Sequence, residues 1–126
     1  MKKWIYVCLF VVLALPCNAY AIEIIDAAIT SDISERSPVD SLNTVKKPVD
    51  QLFCFTHVVG AEDDTWITHV WYHEGKEMAR VRLPVSSSNW RTWSSKKILP
   101  QWDGQWQVHI LDAQGQARLI VPFMVE

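Results

Sequence analysis

Between Ala79 and Val85 the apolar residues Ala79, Val81, Leu83 and Val85 alternate with Arg80, Arg82 and Pro84. A period of two puts one set of side chains on a core and the other in water, which predicts a half-buried strand. Trp106, Val108 and Ile110 alternate in the same way with Gln107 and His109. Leu52–Val59 (LFCFTHVV) and Trp66–His73 (WITHVWYH) are instead apolar on both faces, as in central strands covered from both sides. Ile22–Thr30, Trp90–Leu99 and Leu119–Val125 read as three further strands, with turn clusters at Gly60–Asp64, Glu74-Gly75-Lys76, Ser86–Asn89 and Asp112–Gly115. Ser31–Asp50 is polar, carries Pro38 and Pro48 and has no sustained period. It is expected to be a long connection or loosely ordered insertion, tacked down by Val39, Leu42 and Val45. About seven short strands without a helical period predict an all-β fold, an antiparallel immunoglobulin-like β-sandwich.

The strands around Gly60–Asp64 suggest a hairpin symmetric about Asp63. His57 would then face His69, Phe55 would face Trp71, Phe53 would face His73 and Val59 would face Ile67. Leu52, Cys54, Thr56, Val58, Val70 and Tyr72 would share the other face.

Lys2 and Lys3 precede an uncharged apolar run from Trp4 to Leu15, and Ala19-Tyr20-Ala21 follows Pro16. A basic start, an apolar run of about a dozen residues and a small-x-small site make a secretory signal, with cleavage expected after Ala21. The run is shorter than the roughly 20 residues of a membrane helix, so no stable membrane span is expected after cleavage. Retention as an anchor, or lipidation at Cys17 directly after Pro16, are the weaker readings. The expected organisation is a signal at 1–21, a first strand and polar connection at 22–50, and the sandwich body at 51–126, in the periplasm or secreted.

Two of the three cysteines leave with the signal, and Cys54 cannot form an internal disulfide alone. The remaining 105 residues can build one sound core. Without Lys2 and Lys3, 10 basic residues stand against 14 acidic ones, a formal charge of −4. No basic patch points to a nucleic-acid partner.

Several stretches are distinctive: "LFCFTHVVG" (52–60), "ITHVWYHEGKEMARVRLPV" (67–85) and "WRTWSSKKILPQWDGQWQVHILDAQG" (90–115), with "ISERSPVD" (33–40) ahead of them. Together they resemble the bacterial domain of unknown function 2914 (DUF2914). The matching motif positions include Cys54, Phe55, Thr56, His69, Trp71, Tyr72, Gly75, Trp90, Arg91, Trp93, Ser94, Ser95, Lys96, Gly104 and Trp106, while His57 is not a required identity. The resemblance implies a small bacterial domain, often attached to a membrane segment or signal, with no established activity and no catalytic residue to carry over.

Chemistry is sparse. Ser94 and Ser95 lack a Gly-x-Ser-x-Gly elbow, and Glu62, Asp63, Asp64, Glu74 and Glu77 read as solvated turn acids rather than a glycosidase pair. Under the hairpin register His57 and His69 would lie about 5 Å apart and make a weak metal pair. His73 is about 13 Å further along and no third ligand is visible. Cys54 reads as a packed thiol, with no nearby positive charge to activate it. No catalytic residue and no cofactor are expected, and the chain is not expected to be an enzyme.

The six tryptophans after the signal are the better lead. Trp71 and Trp106 fall in phase with core positions, but Trp90 and Trp93 have opposite strand parity, so one should be exposed or under a loop. Trp90, Arg91, Trp93, Lys96 and Trp102 are the ligand-binding candidates, as cation–π clamps or as a stacking platform. The expected activity is that of a non-catalytic binding module whose partner is a protein or a cell-wall glycan. A carbohydrate- or peptidoglycan-binding module is the alternative, and a metal-dependent hydrolase around His57 and His69 is the remote one.

Overall fold

A computed structural model describes residues 21–126, so nearly all of the expected signal lies outside the described residues. Ten strands occur in them: β1 (Glu23–Thr30), β2 (Ile33–Ser34), β3 (Ser37–Pro38), β4 (Thr44–Val45), β5 (Gln51–Val59), β6 (Thr65–His73), β7 (Lys76–Val85), β8 (Asn89–Lys97), β9 (Gly104–Leu111) and β10 (Ala117–Val125). The count exceeds the expected seven because the 31–50 connection is ordered into three two-residue strands. Its aperiodic residues carry no sign of them. There is no helix among the described residues, and so none long and apolar enough to cross a membrane.

The strands form a three-stranded sheet in the order β1-β5-β8, a five-stranded sheet in the order β4-β10-β9-β6-β7, and the small β2–β3 hairpin. All pairings are antiparallel except β4 with β10. The expected hairpin between Leu52–Val59 and Trp66–His73 does not form. β5 pairs with β1 and β8, whereas β6 pairs with β7 and β9, so loop 60–64 carries the chain from one sheet to the other. Strands that are apolar on both faces satisfy a two-sided environment in either arrangement, and the crossing loop decides between them.

The core lies between the two sheets. Ile29, Leu52 and Cys54 of the three-stranded sheet pack with Trp71, Trp106, Val108, Phe123 and Val125 of the five-stranded one. Val58, Ile67, Val85 and Ile110, with Ile22 and Ala61, close the end nearest loop 60–64. Trp71 and Trp106 are fully buried, as their phase predicts. Burying such a ring contributes roughly 4–6 kcal/mol of transfer free energy before entropy is counted. Phe123 stacks on Trp106 at 5.8 Å and meets the Trp71 edge at 6.2 Å, so aromatic geometry fixes this part of the core. Of the residues expected to tack down the connection, Val45 is buried and Leu42 packs on the core, while Val39 is 52% exposed.

Two of the hairpins close on strained turns. β6 and β7 are joined by Glu74-Gly75, with φ of 48° and 79°, and β2 and β3 by Glu35-Arg36, with φ of 52° and 61°. Both are two-residue turns that need the left-handed region at both positions, where glycine is at ease and other residues are strained. Glu74 is held on both sides, since its N–H bonds the Gln105 carbonyl and its carboxylate accepts from the Gln105 N–H. That carboxylate lies where a Cβ on Gly104 would sit and would have to swing aside for one, while the φ of 107° at position 104 strains any residue but glycine.

Candidate functional site

Sequence reasoning singled out two groups of residues, and the structure sorts them into an interior and an edge. In the interior, His69 on β6 points between the sheets. One ring nitrogen (Nε2) lies 2.8 Å from Thr56 Oγ1 on β5, and the other (Nδ1) lies 2.6 Å from Ser94 Oγ on β8. Trp71 Nε1–H donates to the same Ser94 oxygen at 3.1 Å. His69 and Trp71 are 0% exposed and Ser94 5%, and no buried side-chain nitrogen or oxygen among the described residues lacks a partner.

A serine and a histidine in hydrogen bond resemble a nucleophile and its base, but this pair is sealed from water and substrate by both sheets. Burial pushes the His69 pKa down to about 3, so the ring is neutral and serves as one donor and one acceptor. The network joins β5, β6 and β8 across the gap, replacing water on polar groups that are costly to bury bare. Cys54 lies beside it. Burial pushes its thiol up to about 12, against the opposing effect of a hydrogen bond with Thr56, so the thiol is inert at neutral pH.

The proposed His57–His69 pair does not exist. His57 is on the face of β5 turned away from the core, bonded to Asn89 Oδ1. Thr56, its neighbour, is the residue that meets His69. Among the described residues no three His, Cys, Asp or Glu side chains gather as a metal site would require.

The tryptophan candidates lie on and around β8, each half-buried and each beside a cation. Their parity splits them as expected: Trp90 packs on the core side, and Trp93 lies opposite Phe55 on the outer face. Both nevertheless flank one guanidinium, that of Arg36, at 5.7 and 5.9 Å from their centroids. This is possible because Arg36 sits at the open edge of the strand, where rings from opposite faces come within reach of one group. Arg36 Nη2 donates to the Arg91 carbonyl at 3.1 Å, and Arg91 Nη1 donates to Ser37 Oγ at 2.8 Å.

The β2–β3 hairpin thus lies across the outer face of the three-stranded sheet. Phe55 is 2% exposed on that outer face and belongs to neither core cluster. Opposition of Arg91 with His57 and of Trp93 with Phe55 places it under the hairpin.

The base of the hairpin is firmly tied. Asp40 accepts from the Thr30 hydroxyl at 2.6 Å, the Ser31 N–H at 2.8 Å and the Ser31 hydroxyl at 2.6 Å. Burial raises the Asp40 carboxyl, but the bonds from Ser31 and Thr30 together outweigh it and hold the pKa below the ordinary value. The tip is another matter. Two left-handed non-glycine residues cost about 1–2 kcal/mol each. Cation–π contacts at about 0.5–1 kcal/mol each and hydrogen bonds to charged groups at about 1.5–3 kcal/mol offset them. Cost and gain are of the same size, so the tip is closed by the Arg36 clamp rather than by its own turn.

Lys96 and Trp102 form a second clamp, with Nζ 4.7 Å from the ring centroid, and Trp102 also packs against Trp106 and accepts from its Nε1–H at 2.8 Å. A third joins Arg82 and Trp66 at 3.6 Å on the five-stranded sheet. Sequence reasoning missed Thr56, Ser94 as a buried partner, Arg36 and Arg82. Strand parity could have found Ser94, because it falls on the same face of β8 as Trp90. Arg36 carried no signal beyond its place in the 33–40 stretch.

Larger concave surfaces lie at the end where loops 60–64, 86–88 and 112–116 emerge than beside Gln105 and Gln107 on the five-stranded sheet. An open cleft of about 530 Å³ is bounded by Ile22, Asp63, Asp112, Gln114 and Arg118. A second, of about 790 Å³, shares residues 61–64 and adds Ser86, Ser87 and Ser88.

The family-level comparison agrees with the motifs at 67–85 and 90–115, and does not reach those at 33–40 and 52–60. Residues 64–124, from the end of loop 60–64 into β10, match the family model described as protein of unknown function (DUF2914). The match covers 61 of the 126 residues and supports the resemblance to that family. A search of curated proteins finds no match to the chain.

Proposed function

We propose that this chain is an exported, non-catalytic interaction module built on an immunoglobulin-like sandwich. With the three two-residue strands set aside, the seven long strands in chain order lie as 1-2-5 in one sheet and 7-6-3-4 in the other. That order supports the immunoglobulin-like reading. Export rests on the basic start, the Trp4–Leu15 run and Ala19-Tyr20-Ala21.

The observation that carries the binding role is the division of the chemistry. The nucleophile-like groups Ser94, His69 and Cys54 are sealed inside, while two sheet-crossing loops and the β9–β10 turn gather around open clefts at one end. Clefts of this kind between loops on a rigid scaffold suit recognition of a protein surface. Nothing specific favours the glycan reading, since Trp90, Trp93 and Trp102 already hold cations of the chain itself.

A photoreactive residue placed at Gln114 in the full-length chain tests this in cells. One defined protein adduct is expected at Gln114, and none from the same probe at Lys76, on a turn of the opposite end. Absence of an adduct at Gln114, or equal labelling at both, overturns the reading.

A further inference from the structure

A strand at the edge of a sheet is a template for another strand, and folds blunt such edges with proline, bulges, charge or a covering segment. Three of the four long edges here are blunted within their own strands. β10 carries Pro122, and β4 covers its end, where Met124 N–H and Glu126 N–H bond to Asn43 and Val45 carbonyls. β7 carries Pro84 together with the exposed Arg80 and Arg82. β1 is broken by a bulge between Ile24 and Asp26.

β8 carries charge, in Arg91, Lys96 and Lys97, but neither proline nor bulge within its ladder. It pairs with β5 over nine unbroken positions, from Asn89 to Lys97, without proline or bulge. Two flanking bonds fix which of its groups are free. Gly60 N–H bonds to Ser88 O, and Ile98 N–H bonds to Asp50 O, so the even positions of β8 are the hydrogen-bonded pairs with β5. The odd positions Asn89, Arg91, Trp93, Ser95 and Lys97 therefore aim backbone N–H and C=O away from the sheet. Side chains of the chain itself occupy three of these carbonyls: the Arg36 guanidinium that of Arg91, the Ser87 hydroxyl that of Asn89 and the Lys96 ammonium that of Lys97, which leaves Trp93 and Ser95 at the centre open.

We infer that the β2–β3 hairpin is a guard over a strand-pairing edge, and that its displacement lets β8 pair antiparallel with β8 of a second copy of this chain. Pairing centred on Trp93 sets Arg91 opposite Ser95 and Lys97 opposite Asn89, so each positive charge on the odd face meets a neutral residue. The same centring sets Lys96 opposite Trp90, whose cation it can replace when Arg36 leaves. A two-fold contact needs one self-complementary patch, and this register supplies it. The strained Glu35-Arg36 tip on a firmly tied base is the movable part. The contact uses a surface separate from the loop-end clefts, so crosslinking at Gln114 neither supports nor undermines it.

Arg36→Ala in the full-length chain tests the guard by sedimentation over a hundredfold concentration range. Wild type is expected to stay monomeric and the variant to dimerise at least tenfold more tightly, with the Arg91 and Trp93 amides gaining exchange protection in the dimer. Adding Ser95→Pro, which removes an N–H that β5 does not use, should restore the monomer. If Arg36→Ala does not fold, Glu35→Asn with Arg36→Gly gives the turn residues it favours while still deleting the guanidinium. A monomer whose hairpin amides exchange freely in these variants overturns the proposal, as does a dimer that survives Ser95→Pro.

Discussion

His69 and Arg36 are both polar groups held among tryptophans, and they are held in opposite ways. His69 is neutral, fully enclosed and bonded through both ring nitrogens by residues of the facing sheet. Arg36 is charged, remains exposed, and is held at a strand edge by two ring faces and one carbonyl. Burying a charge costs far more than burying a neutral polar group, so a guanidinium can act as a clamp only where water still reaches it. The interior contact therefore fixes how the sheets face each other, whereas the edge contact fixes only a segment laid on top. Their energies should differ accordingly.

The largest effect belongs to the interior. Ser94→Ala removes the acceptor of the Trp71 N–H and one partner of His69, leaving both polar groups buried and unsatisfied. A loss of about 3 kcal/mol of folding stability is expected, measured by urea denaturation. A loss below about 1 kcal/mol would mean that water or another group enters the gap, and the contrast with the edge would collapse.

Acid should separate the two sites next. The unfolded chain carries His69 at its ordinary pKa near 6.5, while the folded chain holds it near 3. Between those values the unfolded chain binds a proton that the folded chain refuses. The stability is fully present above about pH 6.5 and falls with pH below it, by up to about 1.4 kcal/mol per pH unit. Asp40, whose folded pKa is lowered, adds to the loss only at the acid end of this window. His69→Gln, followed by urea midpoints from pH 7 to pH 4, should flatten the upper part of the slope. Parallel slopes for wild type and variant would place the acid sensitivity elsewhere.

Much of this arrangement was legible in the chain and part was not, for identifiable reasons. Alternation, continuous apolar runs and turn clusters together located the seven long strands, and phase placed Trp71 and Trp106 inside. Opposite parity of Trp90 and Trp93 was also legible, and it is what lets them grip Arg36 from two faces. The partner of β5 was not legible, because a five-residue loop can close a hairpin or cross between sheets roughly 10 Å apart. That single choice replaces His57 by Thr56 opposite His69. The Glu35-Arg36 turn was illegible for a different reason. Such turns announce themselves by Asn-Gly or Asp-Gly, and this one is held by contacts 55 residues away in sequence.

Thiol chemistry offers a sharper test of how closed the interior is. With its pKa near 12 and its sulfur fully buried, Cys54 should resist iodoacetamide at pH 8 in the folded protein and react at once in urea. The labelling rate should follow global unfolding, and Arg36→Ala should leave it unchanged, since the hairpin covers the outer face and Cys54 points inward. If that variant speeds labelling more than tenfold, hairpin and core open together and are not separate units.

The smallest effect is expected at the second clamp. Lys96 lies over Trp102, but Trp102 is independently anchored by its carbonyl to Trp106 Nε1 and by packing on that ring. Removing the cation should therefore leave the indole in place. Lys96→Ala is expected to cost about 0.5–1 kcal/mol, with Lys96→Arg recovering most of it, because either cation can sit on the ring. Thermal denaturation of the pair of variants measures this. A cost above about 2 kcal/mol would show that Lys96 is integral to the core beneath Trp102, and that position on the edge does not by itself make a cation–ring contact weak. The comparison between His69 and Arg36 would then rest on burial of the whole cluster rather than on burial of the charged atom.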